Sequence, residues 1–140
     1  MVGLREAGYR LYVPFSENTR CDLVIDDGAT LERVQIKTGR LRRGAVWFYP
    51  CSSYAHHPNP KILTRHYQGE VDYFGIYCPE TGGVYLVPIE DVAATRRAAL
   101  RVQPSRNSQR KRIRPAADYE IYRIATREPG GPSGAGGSCA

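Results

Sequence analysis

Apolar and polar residues alternate along several short segments of this chain, most clearly between residues 21 and 38. An alternation with a period of two predicts β-strands, because successive side chains of a strand point to opposite faces of a sheet. Clusters of glycine, proline and aspartate between these segments indicate turns. The pattern predicts strands at residues 9–13, 21–25, 31–38, 45–49, 71–78 and 84–87.

The remaining segments predict two helices, one long loop and a tail. Residues 4–7 have the character of a last helical turn that Gly8 ends, because glycine adopts the left-handed C-terminal conformation without steric cost. Residues 89–100 carry apolar side chains at helical spacing, whereas residues 50–69 show no clear period and are expected to form a loop. We expect one folded domain over residues 1–128 and a disordered tail rich in Gly, Pro and Ser at residues 129–140.

Three polar residues of the second and third predicted strands are expected to share one face of the sheet. Gln35 and Lys37 are two positions apart, so their side chains leave the same face about 7 Å apart. If residues 26–29 close a tight antiparallel hairpin, Ile25 lies opposite Thr30, which places Asp22 diagonal to Gln35 on that face. The three side chains can therefore address one small site.

The chemistry of these side chains suits a hard cation and a phosphate group. A carboxylate, an amide oxygen and nearby carbonyl groups form an oxygen site of the kind that Mg²⁺ accepts, with the remaining positions left for water or phosphate. A lysine beside such a metal can orient a water molecule or stabilise charge on a phosphate. Taken alone the pattern is weak evidence, because many antiparallel sheets carry polar residues on a solvated face.

Several short sequence motifs, which follow one another in a fixed order along the chain, strengthen this interpretation. Residues 13–18 (VPFSEN), 22–26 (DLVID), 34–39 (VQIKTG), 69–74 (GEVDYF) and 85–88 (YLVP) resemble the PD-(D/E)xK endonucleases associated with group I introns, which are homing endonucleases. The resemblance spans roughly residues 8–122 and implies a restriction-endonuclease-like α/β fold, with a central mixed sheet and flanking helices. It also implies hydrolysis of DNA phosphodiesters with Mg²⁺ or Mn²⁺.

The resemblance assigns roles to the same three residues. It makes Asp22 the principal metal ligand, Gln35 the substitute for the usual acidic residue and second ligand, and Lys37 the catalytic lysine. The glutamine removes one negative charge from the motif and should weaken metal binding. Members of the superfamily usually begin with a helix that carries a glutamate facing the site, so we expect this chain to start near the end of that helix, which is truncated here. Glu17 and Asp72 are possible additional acidic residues beside the metal.

The charge balance points to a polyanionic partner. The formal net charge is +6 and the pI is about 9.3, which favours binding to phosphate backbones through counterion release. One basic cluster follows the strand at 31–38, and another lies in a segment without acidic residues near residue 110. The residues expected to contact double-stranded DNA are Thr38, Arg40, Arg43, Arg110, Lys111 and Arg112.

Other classes of protein fit the sequence less well. No apolar run reaches the roughly 20 residues that a membrane-spanning helix needs, and the start lacks the order of a signal peptide, so a cytoplasmic location is expected. The four cysteines are widely spaced and predict neither a zinc site nor a disulfide framework. Two alternatives remain open: a catalytically inactive DNA-binding descendant of the nuclease fold, and a fragment that is stable only with a missing partner. A homo-oligomer, as a dimer or tetramer, is compatible with the sequence, which does not determine the number of chains.

Overall fold

The computed structural model of the chain describes residues 1–56, 59–92, 95–104 and 113–121. Within these ranges one short helix precedes a series of strands, and two single turns of 3₁₀ helix lie at Ile89–Asp91 and Ala116–Asp118. The elements are α1 (Val2–Glu6), β1 (Arg10–Tyr12), β2 (Leu23–Asp26), β3 (Leu31–Thr38), β4 (Arg40–Arg42), β5 (Ala45–Phe48), β6 (Cys51–His56), β7 (Asn59–His66), β8 (Tyr73–Cys78), β9 (Gly83–Pro88) and β10 (Ala98–Arg101).

A five-stranded sheet with the order β1-β2-β3-β8-β9 forms the centre of the fold. Strands β3 and β8 are parallel, and the other neighbours are antiparallel. The predicted central mixed sheet is therefore confirmed. Leu4 of α1 and Ile121 cover one face of this sheet. They form one buried cluster with Leu23, Val34 and Leu86.

The opposite face of the central sheet packs against a second, three-stranded sheet with the order β10-β5-β4. Phe74 and Ile76 of β8 share a buried cluster with Val46, Phe48 and Leu100 of the second sheet. The chain passes from β3 into β4 at Gly39, where a Cβ atom would lie 2.5 Å from Val46 Cγ1 and 2.9 Å from Ile76 Cγ2. A glycine is required there because no side chain fits between the two sheets at this corner.

Two predictions about the second half of the fold were wrong. Residues 50–69 were expected to be a loop, but β6 and β7 form a two-stranded antiparallel hairpin. Both strands of such a ribbon are edges, where a proline is tolerated, so the prolines did not exclude strands. Residues 89–100 were expected to be a helix, but they begin with a single 3₁₀ turn and end in β10, where Ala98 and Leu100 alternate inward opposite Phe48 and Val46 of β5.

Some predictions lie outside the described residues. These are the disordered tail at 129–140 and the basic residues Arg110, Lys111 and Arg112. No helix in the described part of the chain is long and apolar enough to span a membrane.

Candidate active site

Asp22 lies directly before β2, beside the middle of β3. The observed pairing sets Leu23 opposite Val34 and Ile25 opposite Glu32, which is two residues away from the predicted register. A shift of two residues leaves every side chain on its predicted face, because the faces of a strand alternate with a period of two. Asp22 therefore shares a face with Gln35 and lies closer to it than the predicted register implied.

The turn between β2 and β3 explains the register. The Asp27 carboxylate accepts hydrogen bonds from the backbone amides of Ala29 and Thr30, both at 2.8 Å, and Gly28 takes a positive φ of 95°. These bonds hold residues 27–30 in a four-residue loop outside the ladder. They also lower the pKa of Asp27, with the bond from Thr30 contributing most.

The Asp22 carboxylate is exposed and fixed in orientation by its neighbours on β3. Its Oδ2 atom accepts hydrogen bonds from Gln35 Nε2 at 2.6 Å and from the backbone amide of Ile36 at 2.7 Å. Gln35 is half-buried. The structure thus brings two of the three predicted site residues into direct contact.

Lys37 lies on the same face, and its ammonium group is held by residues of the β6–β7 region. Lys37 Nζ donates to the Tyr67 hydroxyl at 3.2 Å and to the carbonyl of Cys51 at 3.4 Å. Tyr67 is 5% exposed and packs edge-on against Phe74, with ring centroids 5.6 Å apart. Lys37 is therefore hydrogen-bonded to a buried aromatic side chain. It forms no ion pair within the described residues.

A network of charged residues also surrounds Tyr67. The Arg20 guanidinium stacks on the Tyr67 ring at 3.8 Å from its centroid, and Arg20 Nε contacts Glu70 Oε2 at 2.5 Å. Arg20 also donates to the Ser52 hydroxyl at 3.0 Å, and Arg65 contacts the second oxygen of Glu70. Arg20, followed by Arg65, lowers the pKa of Glu70. This network connects Ser52 of β6 and Arg65 of β7 to the residues around Tyr67.

Sequence reasoning missed Tyr67 and Arg20 as parts of the site. The segment around Tyr67 was interpreted as a loop, and Arg20 contacts Glu70 across 50 positions of the chain. No periodic signal connects residues so far apart. Glu70 lies within residues 69–74, one of the motifs that resemble the nuclease family. This motif was the one signal in the sequence that pointed to the network.

The two other acidic candidates differ in their surroundings. The backbone amide of Arg33 donates to Asp72 Oδ2 at 2.7 Å, and Arg33 Nη2 donates to Asp72 Oδ1 at 3.0 Å. The bonds from Arg33 lower the pKa of Asp72. Asp72 thus joins the start of β8 to β3. Glu17 is exposed in the turn between β1 and β2.

The predicted DNA-contacting residues next to β3 are all exposed. Thr38 ends β3, and Arg40 begins β4 with its Nη1 atom 3.5 Å from Glu80 Oε1. Arg43 and Gly44 form the two-residue turn between β4 and β5, both with positive φ, as a type I′ hairpin turn requires. This turn keeps the Arg43 side chain in solvent.

The side chains at Asp22 offer oxygen atoms of the kind that hard divalent cations accept as ligands. Within the described residues no three or more His, Cys, Asp or Glu side chains gather into a group that could hold a metal. Mg²⁺ commonly takes only one or two protein carboxylates and completes its shell with water and phosphate oxygens. The exposed Asp22 carboxylate, directly before β2, and the Gln35 amide on β3 meet that requirement.

Comparison with known proteins gives a family and a fold. Residues 1–122 match the family described as PD-(D/E)XK endonuclease. A solved structure of a bacterial homing endonuclease, I-Ssp6803I, is similar to this chain with a TM-score of 0.65 and 19% identity, over 89% of this chain and 86% of that one. No curated protein matches the chain. With the family match over most of its length, this chain belongs to the PD-(D/E)XK endonuclease family.

Proposed function

We propose that this protein is a metal-dependent endonuclease that hydrolyses phosphodiester bonds of double-stranded DNA, in the manner of intron-associated homing endonucleases. The proposal rests on one observation in particular. Asp22 and Gln35 are joined by a hydrogen bond of 2.6 Å on the face that also carries Lys37. The family membership and the homing-endonuclease fold support the same reaction.

Asp22 and Gln35 are the proposed ligands of Mg²⁺, with Mn²⁺ as a substitute. The bound ion would lower the pKa of a water molecule and neutralise charge that develops on the phosphate. Asp22 supplies the only formal negative charge in this ligand pair. Its carboxylate is oriented by the backbone amide of Ile36, so little ordering is needed when the ion binds.

Lys37 is the proposed catalytic lysine. Its ammonium group would stabilise the negative charge of the scissile phosphate or orient the attacking water. Tyr67 and the carbonyl of Cys51 hold this group from one side through neutral acceptors. The positive charge of Lys37 is therefore not cancelled by a carboxylate within the described residues, and it remains available to the substrate.

The DNA backbone would be held by exposed groups around β3 and by the basic run further along the chain. Thr38 is exposed at the end of β3, and Arg40 and Arg43 are exposed shortly after it. The assignment of Arg110, Lys111 and Arg112 rests on their charge alone. Glu17 remains a candidate second acid, since it is exposed before β2. A dimer or tetramer would place one active site on each strand of a duplex, and we propose such a homo-oligomer in the cytoplasm.

A plasmid assay tests the proposed function. Purified protein is incubated with supercoiled DNA and Mg²⁺, with Mn²⁺, and with excess chelator. We expect nicked or linear products with either ion and none with chelator. DNA binding without cleavage under all conditions would support the alternative, an inactive DNA-binding descendant of the nuclease fold.

A further inference from the structure

The outer face of the three-stranded sheet carries arginines arranged around a single tryptophan. Pairing across β4, β5 and β10 sets Arg40 beside Trp47 and Ala99, and sets Arg42 beside Ala45 and Arg101. The intervening row, with Leu41, Val46 and Leu100, faces the core. We call this outer surface the arginine face; its members are Arg40, Arg42, Trp47, Arg97 and Arg101.

The positive charge of the arginine face is largely unneutralised. Close to the active site, Arg20 and Arg65 pair with Glu70, and Arg33 pairs with Asp72. Among the residues that the structure describes, the one ion pair on the arginine face joins Arg40 to Glu80 at 3.5 Å, and the Arg40 side chain is still 61% exposed. Arg42, Arg97 and Arg101 form no ion pair within the described residues. In the described part of the chain the arginine face therefore carries unpaired positive charge, whereas Arg20, Arg33 and Arg65 near the active site are paired with carboxylates.

Contacts with neutral groups hold the side chains of Arg97, Trp47 and Arg101 against the sheet without cancelling the charge of the two arginines. Arg97 stacks over the Trp47 ring at 4.1 Å from its centroid. Trp47 Nε1 donates to the carbonyl of Arg42 at 3.2 Å, and Arg101 Nη1 donates to the carbonyl of Arg43 at 2.8 Å. Side chains that are already ordered lose less conformational entropy when they bind a ligand.

The arginine face begins close to the catalytic lysine. Arg40 follows Lys37 by three residues through the corner at Gly39, so their Cα atoms lie within about 11 Å of each other. B-form DNA carries one negative charge for about every 1.7 Å of helix axis. A duplex held at Lys37 would therefore present several phosphates within reach of this face.

We propose that the arginine face binds the phosphate backbone of the DNA that flanks the cleavage site, with Trp47 at the centre of the contact. The inference rests on the proposed function for the identity of the polyanion. It adds Arg42, Trp47, Arg97 and Arg101 to the DNA-contacting surface. The contact is sequence-independent, because it reaches phosphates and no base edges.

Trp47 is the only tryptophan of the chain, so its fluorescence reports on this face alone. A duplex oligonucleotide is titrated into Lys37→Ala protein with Mg²⁺, and binding is followed by DNA anisotropy and by Trp47 emission. We expect the emission to change and to saturate together with the anisotropy. The proposal would be overturned if the anisotropy saturates while the Trp47 emission stays unchanged. It would also be overturned if the emission changes with protein concentration in the absence of DNA, because the partner of this face would then be a second copy of the chain.

Charge substitutions give a second, independent readout. Each lost phosphate contact should lower the salt slope of DNA binding by about 0.9, so Arg42→Gln/Arg97→Gln/Arg101→Gln should lower it by about 3. The matched control for the single change Arg42→Gln is Arg5→Gln, in α1 on the opposite side of the central sheet, which should leave the slope unchanged. Thermal melting checks that each variant folds. Equal slopes for Arg42→Gln and Arg5→Gln would overturn the proposal. If the wild-type plasmid assay fails while Trp47 still responds to DNA, the proposed hydrolysis is wrong and the DNA surface stands.

Discussion

The Gln35 side-chain amide donates a hydrogen bond to Asp22 Oδ2 at 2.6 Å. By the resemblance, Gln35 occupies the position of the second acidic residue of the motif. It is therefore hydrogen-bonded to Asp22, the residue with which it would share the metal. A glutamate in this position would put two carboxylates side by side and repel Asp22 without a cation. The glutamine instead allows the pair to form before any metal binds.

The first prediction concerns this pair. Gln35→Glu should destabilise the metal-free protein by about 1 kcal/mol, because two like charges replace a hydrogen bond. Mg²⁺ should reverse the loss, so the melting temperature of the variant should rise more with Mg²⁺ than that of the wild type. Thermal melting with and without Mg²⁺ measures both effects, and Gln35→Ala controls for the lost amide. Equal Mg²⁺-dependent shifts in all three proteins would remove Gln35 from the metal site.

The second prediction concerns the support of Lys37. Tyr67→Phe keeps the ring that packs on Phe74 and under Arg20, but it removes the hydroxyl 3.2 Å from Lys37 Nζ. Losing one hydrogen bond worth about 1 kcal/mol should slow single-turnover cleavage by about 5-fold and leave DNA affinity unchanged. Tyr77→Phe, at an exposed position of β8, is the control. A rate equal to wild type would show that the hydroxyl does not position Lys37.

The third prediction concerns acid stability. Arg33 lowers the pKa of Asp72 in the folded protein, so this group stabilises the fold above its ordinary pKa of about 4 and loses that contribution as the pH falls through the lowered value. Asp72→Asn should therefore melt lower than wild type at neutral pH, and the difference should shrink below about pH 4. Melting curves across this range test the prediction. Glu17→Gln, at an exposed loop position, is the control for the loss of one carboxylate.

The part of the fold that the sequence predicted best is the β2–β3 hairpin. Alternation alone placed Asp22, Gln35 and Lys37 on one face, and this conclusion survived a register error of two residues because only an odd shift exchanges the faces. The error arose because hydrophobic periodicity carries no information on loop length. That length was set locally by the hydrogen bonds of the Asp27 carboxylate.

The remainder of the site depends on contacts between distant parts of the chain. Lys37 meets Tyr67 across 30 positions, and Arg20 meets Ser52 across 32. Such partners leave no local pattern. The β6–β7 hairpin shows no clear alternation of apolar and polar residues, so its strands could not be predicted from the sequence. The short apolar run that ends in β10 fits both a helical and a strand period, so the sequence alone could not decide between a helix and a strand there.

Single-turnover cleavage by Lys37→Ala, measured together with DNA binding, tests the central claim most directly. Wild-type protein, Lys37→Ala and Asp22→Ala are mixed in excess with a labelled DNA duplex, and binding is measured by anisotropy in the same buffer with Mg²⁺. The account predicts that Lys37→Ala binds DNA within a few-fold of wild type and cuts at least about 100-fold more slowly, because the lysine acts on the charge of the reaction and the arginines carry the binding. Asp22→Ala should lose both cleavage and the response to Mg²⁺. Cleavage by Lys37→Ala at the wild-type rate would contradict the account.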